Sequence, residues 1–183
     1  MCQTAADGVE MESKVVLSEE GCEEYSRAAV IDSNLAMLLW IALGTVSCWF
    51  FNHIVAWVFL GIALLTVFVV MRKLVCTNCY YYGKRCAAGW GKLSAMMFKQ
   101  GDIEKFNDSI GVKIAPAVYG LLTLVPLVLG TISAIQHFSA IKPIVLTALL
   151  LMGMYSGTIA RKRSCGRCKM RDYCKGSAAK AAG

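Results

Sequence analysis

Residues 35–71 read LAMLLWIALGTVSCWFFNHIVAWVFLGIALLTVFVVM and contain no Asp, Glu, Lys or Arg. An α-helix rises about 1.5 Å per residue, so about 20 apolar residues are enough to cross roughly 30 Å of bilayer hydrocarbon. The stretch is about twice that length, and its one polar break is Asn52-His53. It therefore predicts two transmembrane helices, at residues 35–51 and 54–71, joined by a tight turn.

The second half of the chain repeats this plan. Residues 114–136 form a third apolar run and residues 143–160 a fourth, with a short link between them. Pro116 and Pro143 stand at the predicted helix starts, where proline is tolerated, and we expect Pro126 to kink the third helix. With 57% hydrophobic and 17% charged residues, the composition is that of a membrane protein. We predict an all-α fold, an integral membrane four-helix bundle made of two transmembrane hairpins.

The predicted organisation has five parts. Residues 1–33 form an acidic, flexible cytoplasmic tail, 34–72 the first hairpin, 73–113 a cytoplasmic loop, 114–160 the second hairpin and 161–183 a cytoplasmic tail. Eight of the twelve acidic residues fall in the first part. Charged and apolar residues alternate through residues 89–108 as in an amphipathic helix. This pattern fits either a segment lying in the membrane interface or a soluble loop folded over the cysteines.

The distribution of positive charge predicts the orientation. Of the nineteen Lys and Arg residues, eighteen lie before helix 1, between helices 2 and 3, or after helix 4, and only Lys142 lies on the other side. Basic residues concentrate on the cytoplasmic side of membrane proteins. We therefore expect a multi-pass protein of the cell (inner or plasma) membrane, with both termini in the cytoplasm. The first 33 residues lack the features of a secretory signal peptide, so we expect the first apolar run to be a retained span.

A cysteine motif occurs in both basic segments. It reads MRKLVCTNCYYYGKRC at residues 71–86 and ARKRSCGRCKMRDYC at residues 160–174. The spacing is Cys-x2-Cys-x6-Cys in the first copy and Cys-x2-Cys-x5-Cys in the second. The candidate metal ligands are Cys76, Cys79, Cys86, Cys165, Cys168 and Cys174. Because each motif follows an Arg-Lys pair at the end of a hairpin, the chain reads as a duplicated unit.

Two thiolates in one Cys-x2-Cys turn can reach the same metal ion, as in zinc and iron–sulfur sites. Each motif has three cysteines and lacks a fourth ligand, since His53 and His137 fall at the opposite face of the predicted bundle. We therefore expect the two motifs to act together. The six cysteine positions resemble the binuclear zinc cluster of fungal transcription factors, which implies two zinc ions sharing bridging thiolates.

Two other arrangements remain open. Four of the six cysteines could bind one [4Fe-4S] cluster, or each motif a cluster with one iron left open, although no proline follows the last cysteine as it does in bacterial ferredoxin runs. Three disulfides are the other arrangement, and the predicted reducing compartment disfavours them.

These patterns lead to one principal functional hypothesis. We expect a polytopic membrane protein that binds zinc or an iron–sulfur cluster and acts as a scaffold or an electron-transfer partner. The alternative is a membrane thiol–disulfide or quinone-linked oxidoreductase. A metal transporter has less support, because the predicted spans lack charged residues. The expected partners are the lipid bilayer and either a membrane protein complex or a second copy of the chain. Nucleic acid is not expected, since the charges flank apolar runs.

Overall fold

The computed structural model describes residues 2–3 and 15–179, and it is 70% helix. Among these residues, four helices are long and apolar enough to cross a membrane: Arg27–Trp49, His53–Asn78, Ile110–Gln136 and Ile141–Gly166. The prediction of a mostly helical chain with four helices of spanning length is confirmed.

The second and fourth long helices are built in the same way. The second consists of α2 (His53–Leu65), a π-helical segment (Thr66–Val70), α3 (Met71–Val75) and a 3-10 turn (Cys76–Asn78). The fourth consists of α6 (Ile141–Tyr155), a π-helical segment (Ser156–Ala160) and α7 (Arg161–Gly166). The first and third are the uninterrupted helices α1 (Arg27–Trp49) and α5 (Ile110–Gln136). Each π-helical segment ends shortly before a cysteine motif, so the repeat seen in the sequence extends to the backbone.

The helix ends match the prediction at one end of the bundle and overrun it at the other. The turn between the first two helices lies at residues 50–52, close to the predicted position. At the opposite end, α1 begins at Arg27 instead of residue 35 and the second long helix runs on to Asn78 instead of ending at residue 71. The change from apolar to charged residues marks the edge of the hydrophobic run, whereas the helical backbone continues until a cap or a turn ends it.

The shorter elements lie at the end of the bundle that holds the cysteines. They are α4 (Trp90–Met97), a 3-10 segment (Ile103–Asp108) and strand β1 (Cys2–Gln3), which pairs antiparallel with β2 (Glu24–Tyr25). Residues 1 and 4–14 of the acidic segment lie outside the described residues, so the predicted flexible tail is not tested there.

Helix α1 holds the bundle together, since it packs against α2, α5 and α6. Where it crosses α5, the fully buried Ser47 hydroxyl donates a 2.7 Å hydrogen bond to the carbonyl of Pro126. Gly130 lies one turn further along α5, and a Cβ at this position would overlap the Ser47 hydroxyl and the Leu146 side chain. A glycine is therefore required for the close approach of these helices.

Lys142, the basic residue set apart from all the others, caps a helix. Its buried ammonium donates to the carbonyls of Ser133 at 2.9 Å and His137 at 2.8 Å, at the C-terminal end of α5. A cation is favourable at this position, because the last carbonyl groups of a helix lack backbone partners and carry partial negative charge.

Replacing Gly130 with Ala should destabilise the bundle, because the added methyl group displaces Ser47 from Pro126. We expect a loss of about 1–3 kcal/mol, typical of overpacking in a core. Tryptophan fluorescence during thermal unfolding in detergent measures the change. The control is Gly120→Ala in the same helix, where no described atom lies within 4 Å of the added carbon. A Gly130→Ala variant that melts no lower than Gly120→Ala would contradict this account of the packing.

Candidate cysteine site

The two cysteine motifs meet at one end of the bundle. Buried Cys22, Tyr25 and Tyr81 form a cluster, and Cys79 and Cys86 of the first motif and Cys168 of the second pack against it. We call these six residues the cysteine core. The structure thus brings thiols from both motifs to one place, as the missing fourth ligand in each motif predicts.

Both Cys-x2-Cys pairs adopt the same turn. The backbone N–H of Cys79 donates to the carbonyl of Cys76 at 3.3 Å, and that of Cys168 donates to the carbonyl of Cys165 at 3.1 Å. In both turns the first cysteine lies at the end of a long helix and the second at the start of the loop. The two copies therefore agree in conformation as well as in spacing.

Backbone N–H groups favour the thiolate form in both turns. That of Tyr81 lowers the pKa of Cys79 and that of Met170 lowers the pKa of Cys168, although burial of the two thiols has the larger effect and raises both pKa values. Amides close to a sulfur atom also orient it, which suits a metal ligand.

Met170 joins the second motif to the first. Its side chain is fully buried, and its sulfur lies 3.5 Å from the Cys79 sulfur. It also accepts the backbone N–H of Tyr80 at 3.2 Å. The thioether therefore occupies the space between the two loops, which the sequence pattern of the motifs did not indicate.

The acidic segment binds both motifs. The Glu23 carboxylate pairs with Lys169 of the second motif at 2.8 Å and with Lys84 of the first at 3.6 Å. Glu24 pairs with Arg85 at 2.8 Å. From Val15 onward, therefore, the segment predicted to be part of a flexible tail is packed over the cysteine core, because its carboxylates neutralise the basic loops.

Backbone hydrogen bonds fix the same segment. Its N–H groups donate to carbonyls on both loops: Ser18 to Lys169 at 2.8 Å, Cys22 to Arg167 at 2.8 Å and Tyr25 to Arg85 at 2.9 Å. A Cβ at Gly21 would overlap the Lys169 backbone, so this segment and the second loop are in direct backbone contact. Cys22 itself is disulfide-bonded. Residues 15–25 thus act as a strap across the two loops, and we refer to them as the strap.

Burial decides the protonation of Cys79 and Cys168. It raises the pKa of Cys168 to about 11, and it raises the pKa of Cys79 further, to which the nearby thiols Cys76 and Cys86 contribute. Thiols with raised pKa are protonated at neutral pH and are poor nucleophiles. A bound metal ion would reverse this, because coordination deprotonates a thiol outright.

The predicted ligands lie near each other without forming a closed ligand set. Within residues 2–3 and 15–179, no three His, Cys, Asp or Glu side chains are placed to hold a metal ion. Cys76, Cys79, Cys86, Cys165 and Cys168 carry free thiols, as a site of this kind requires. His53 begins α2 and His137 follows α5, at the opposite end of the bundle, so the structure does not bring either histidine to the cysteines.

Comparison with protein-family models, curated proteins and solved structures gives no match to this chain. Its function is therefore argued from the residues of the site.

Sequence reasoning missed three members of this site. They are Cys22, Met170 and Tyr81, none of which is one of the six repeated cysteines. One signal was available in the sequence. Glu23 and Glu24 are adjacent acidic residues in a chain whose loops are strongly basic, a combination that favours docking of one onto the other.

The strap should loosen in acid. Burial opposes ionisation of Glu23, but hydrogen bonds from Lys169 and Tyr80 and the charges of Lys169 and Lys84 outweigh it and lower its pKa below the ordinary 4.5. A lowered pKa stabilises the docked strap above the ordinary value, and this stabilisation disappears as the pH falls through the folded-state pKa. Hydrogen-exchange protection factors of residues 15–25 should therefore stay constant from neutral pH down to about 5 and fall below it.

Glu23→Gln should lower these protection factors at neutral pH by about fivefold, since a partly exposed ion pair contributes about 1 kcal/mol. It should also flatten their pH dependence. Glu19→Gln is the matched control, because the Glu19 side chain is exposed. Equal protection in the two variants would show that the carboxylate of Glu23 does not hold the strap.

Proposed function

We propose that this chain is a multi-pass membrane protein that binds zinc or an iron–sulfur cluster through its paired three-cysteine motifs. The ligands are drawn from Cys76, Cys79, Cys86, Cys165, Cys168 and Cys174. The observation that carries the proposal is the pair of matching Cys-x2-Cys turns whose thiols pack into one core. The protein serves as a scaffold or as an electron-transfer partner in a larger membrane complex.

The chemistry of the donors fits such a group. Thiolates are the ligands that zinc and iron–sulfur clusters prefer, and hydrogen bonds to the sulfurs orient and tune them. Cys86 has a bond of this kind, because the backbone N–H of Trp90 donates to its sulfur at 3.2 Å.

The surroundings supply positive charge. Lys84, Arg85 and Lys169 lie next to the cysteine core and anchor the strap. Thiolate-bound zinc and iron–sulfur clusters carry net negative charge, which nearby cations moderate. Zinc would supply a cross-link between the loops, and a cluster would supply one-electron redox chemistry.

Binding would be linked to local ordering of the thiols, because no set of three ligands is closed in the described chain. A group that binds only the ordered form stabilises that form. The oxidoreductase alternative has less support, since burial raises the pKa of Cys79 and of Cys168, whereas thiol–disulfide exchange needs a thiolate.

Metal analysis of the purified protein tests the proposal. Protein prepared in detergent under anaerobic, reducing conditions should contain zinc or iron in stoichiometric amount, with visible absorbance if a cluster is present. Cys79→Ser and Cys168→Ser should each remove most of the metal, because the two motifs share one core. Cys48→Ser is the control, since Cys48 is buried in α1 within the helical bundle.

Two results would overturn the metal proposal. One is a wild-type protein free of zinc and iron whose thiols titrate reversibly with a redox couple, which favours the oxidoreductase. The other is full metal content in both Cys79→Ser and Cys168→Ser.

We also propose that the cysteine side faces the cytoplasm, with the bilayer around the four helices. Eighteen of the nineteen basic residues support this orientation. In the most apolar stretch of the fourth helix, only 6% of the residues are buried within the chain. Lipid or another apolar partner would cover the rest. The disulfide of Cys22 argues against a cytoplasmic location of this side, because disulfides are typical of oxidising compartments.

A reporter that is active only in the cytoplasm decides the orientation. Fused after Gly183, it should be active, and fused into the turn at Asn52-His53, it should be silent. The reverse pattern would place the cysteines outside the cytoplasm and remove the compartment argument against disulfides.

A further inference from the structure

Arg72 is a buried cation with unused hydrogen-bond donors. Its side chain is 1% exposed, the lowest value for any charged residue in the described chain. Its Nε and Nη1 atoms have no hydrogen-bond partner. None of the ion pairs formed by the described residues includes it. A buried charge without a partner is costly, so a group that satisfies it is expected nearby.

Two aromatic rings hold the guanidinium in place. Its central carbon lies 4.8 Å from the centre of the Phe68 ring and 4.4 Å from that of Trp90. The Trp90 indole is fixed in turn by a 3.2 Å hydrogen bond to the Asn34 side chain on α1. Stacking stabilises the charge through the faces of the guanidinium but leaves the in-plane N–H groups of Nε and Nη1 without acceptors. The rings therefore position Arg72 without satisfying it.

The ionisable groups that act on this cation belong mainly to the first cysteine motif. They are Cys76 and Cys86, together with Tyr119 of α5. Cys76 follows Arg72 by one helical turn, and Cys86 accepts the backbone amide of Trp90, the residue that stacks on the guanidinium. Arg72 is thus connected to the first motif through its own helix and through Trp90.

The second repeat provides an internal comparison. Arg161 stands one turn before Cys165, as Arg72 stands one turn before Cys76. Its side chain is exposed and donates to the carbonyl of Gly176 at 2.6 Å. Equivalent arginines therefore have different roles. Arg161 binds the segment that follows Cys174, whereas Arg72 is buried with two unused donor atoms one helical turn before the first motif.

We propose that Arg72 is the cationic partner of a negatively charged metal–thiolate centre that includes Cys76 and Cys86. This inference rests on the proposed function. The free N–H donors of Arg72 supply hydrogen bonds to thiolate sulfur, and its charge offsets that of the centre. It is a positioning residue that acts on the ligands, and it makes the two halves of the repeat inequivalent.

Zinc binding to the full-length protein in detergent tests this role. Zn²⁺ is added to reduced, metal-free protein in competition with a chromophoric chelator. Arg72→Met should weaken binding by about 10- to 100-fold, the usual effect of losing a group that supports the metal ligands. Arg72→Lys keeps the charge and should bind more tightly than Arg72→Met. Arg161→Met, the matched control, should bind within about twofold of wild type, because Arg161 contacts a carbonyl and not sulfur.

Thermal melting of the metal-free proteins separates this role from a structural one. Without metal, Arg72→Met should melt no lower than wild type, because an apolar side chain replaces a buried charge that lacks a partner. Arg72→Met with wild-type zinc affinity would overturn the proposal, and so would a lower melting temperature of its metal-free form. If wild-type protein takes up no zinc and contains no iron as purified, the proposed function fails and this inference fails with it, whereas unchanged affinity in Arg72→Met defeats the inference alone.

Discussion

The structure depends on one geometric constraint, that an apolar helix hairpin returns the chain to the end from which it started. Each long helix satisfies its backbone groups internally, so the chain runs from one end of the bundle to the other before it turns. Two hairpins therefore place the loop after Asn78 and the segment after Gly166 at the same end. The two cysteine motifs therefore lie side by side, and the strap can contact both of them.

Periodic and compositional signals predicted the parts of the molecule that local sequence controls. The long apolar run and the break at Asn52-His53 were enough to place the first hairpin and its turn. Spacing alone identified the repeated cysteine motif, and the π-helical segments at Thr66–Val70 and Ser156–Ala160 add a second mark of the same repeat. Such segments are rare and are often found near functional sites, which fits their position just before the cysteines.

The contacts that the sequence did not predict are pairings between distant segments. Glu23 looks like one charge in a polar tail, and only the fold shows that a lysine from each loop reaches it. Arg72 looks like a solvent-exposed basic residue at the end of a span, because charge normally marks the edge of the bilayer. Its burial results from Phe68 and Trp90, and the position of Trp90 depends on a loop and on α1. Neither arrangement has a local pattern that would reveal it.

The strap also sets the order in which the protein can mature. Ser18 and Cys22 leave the ribosome before both hairpins, whereas their backbone partners Lys169 and Arg167 follow the second hairpin. The strap must wait, without these partners, while both hairpins are made. Closure of the cysteine core therefore follows synthesis of the second motif, and a chain truncated before that motif leaves its acidic segment and its first set of thiols uncovered.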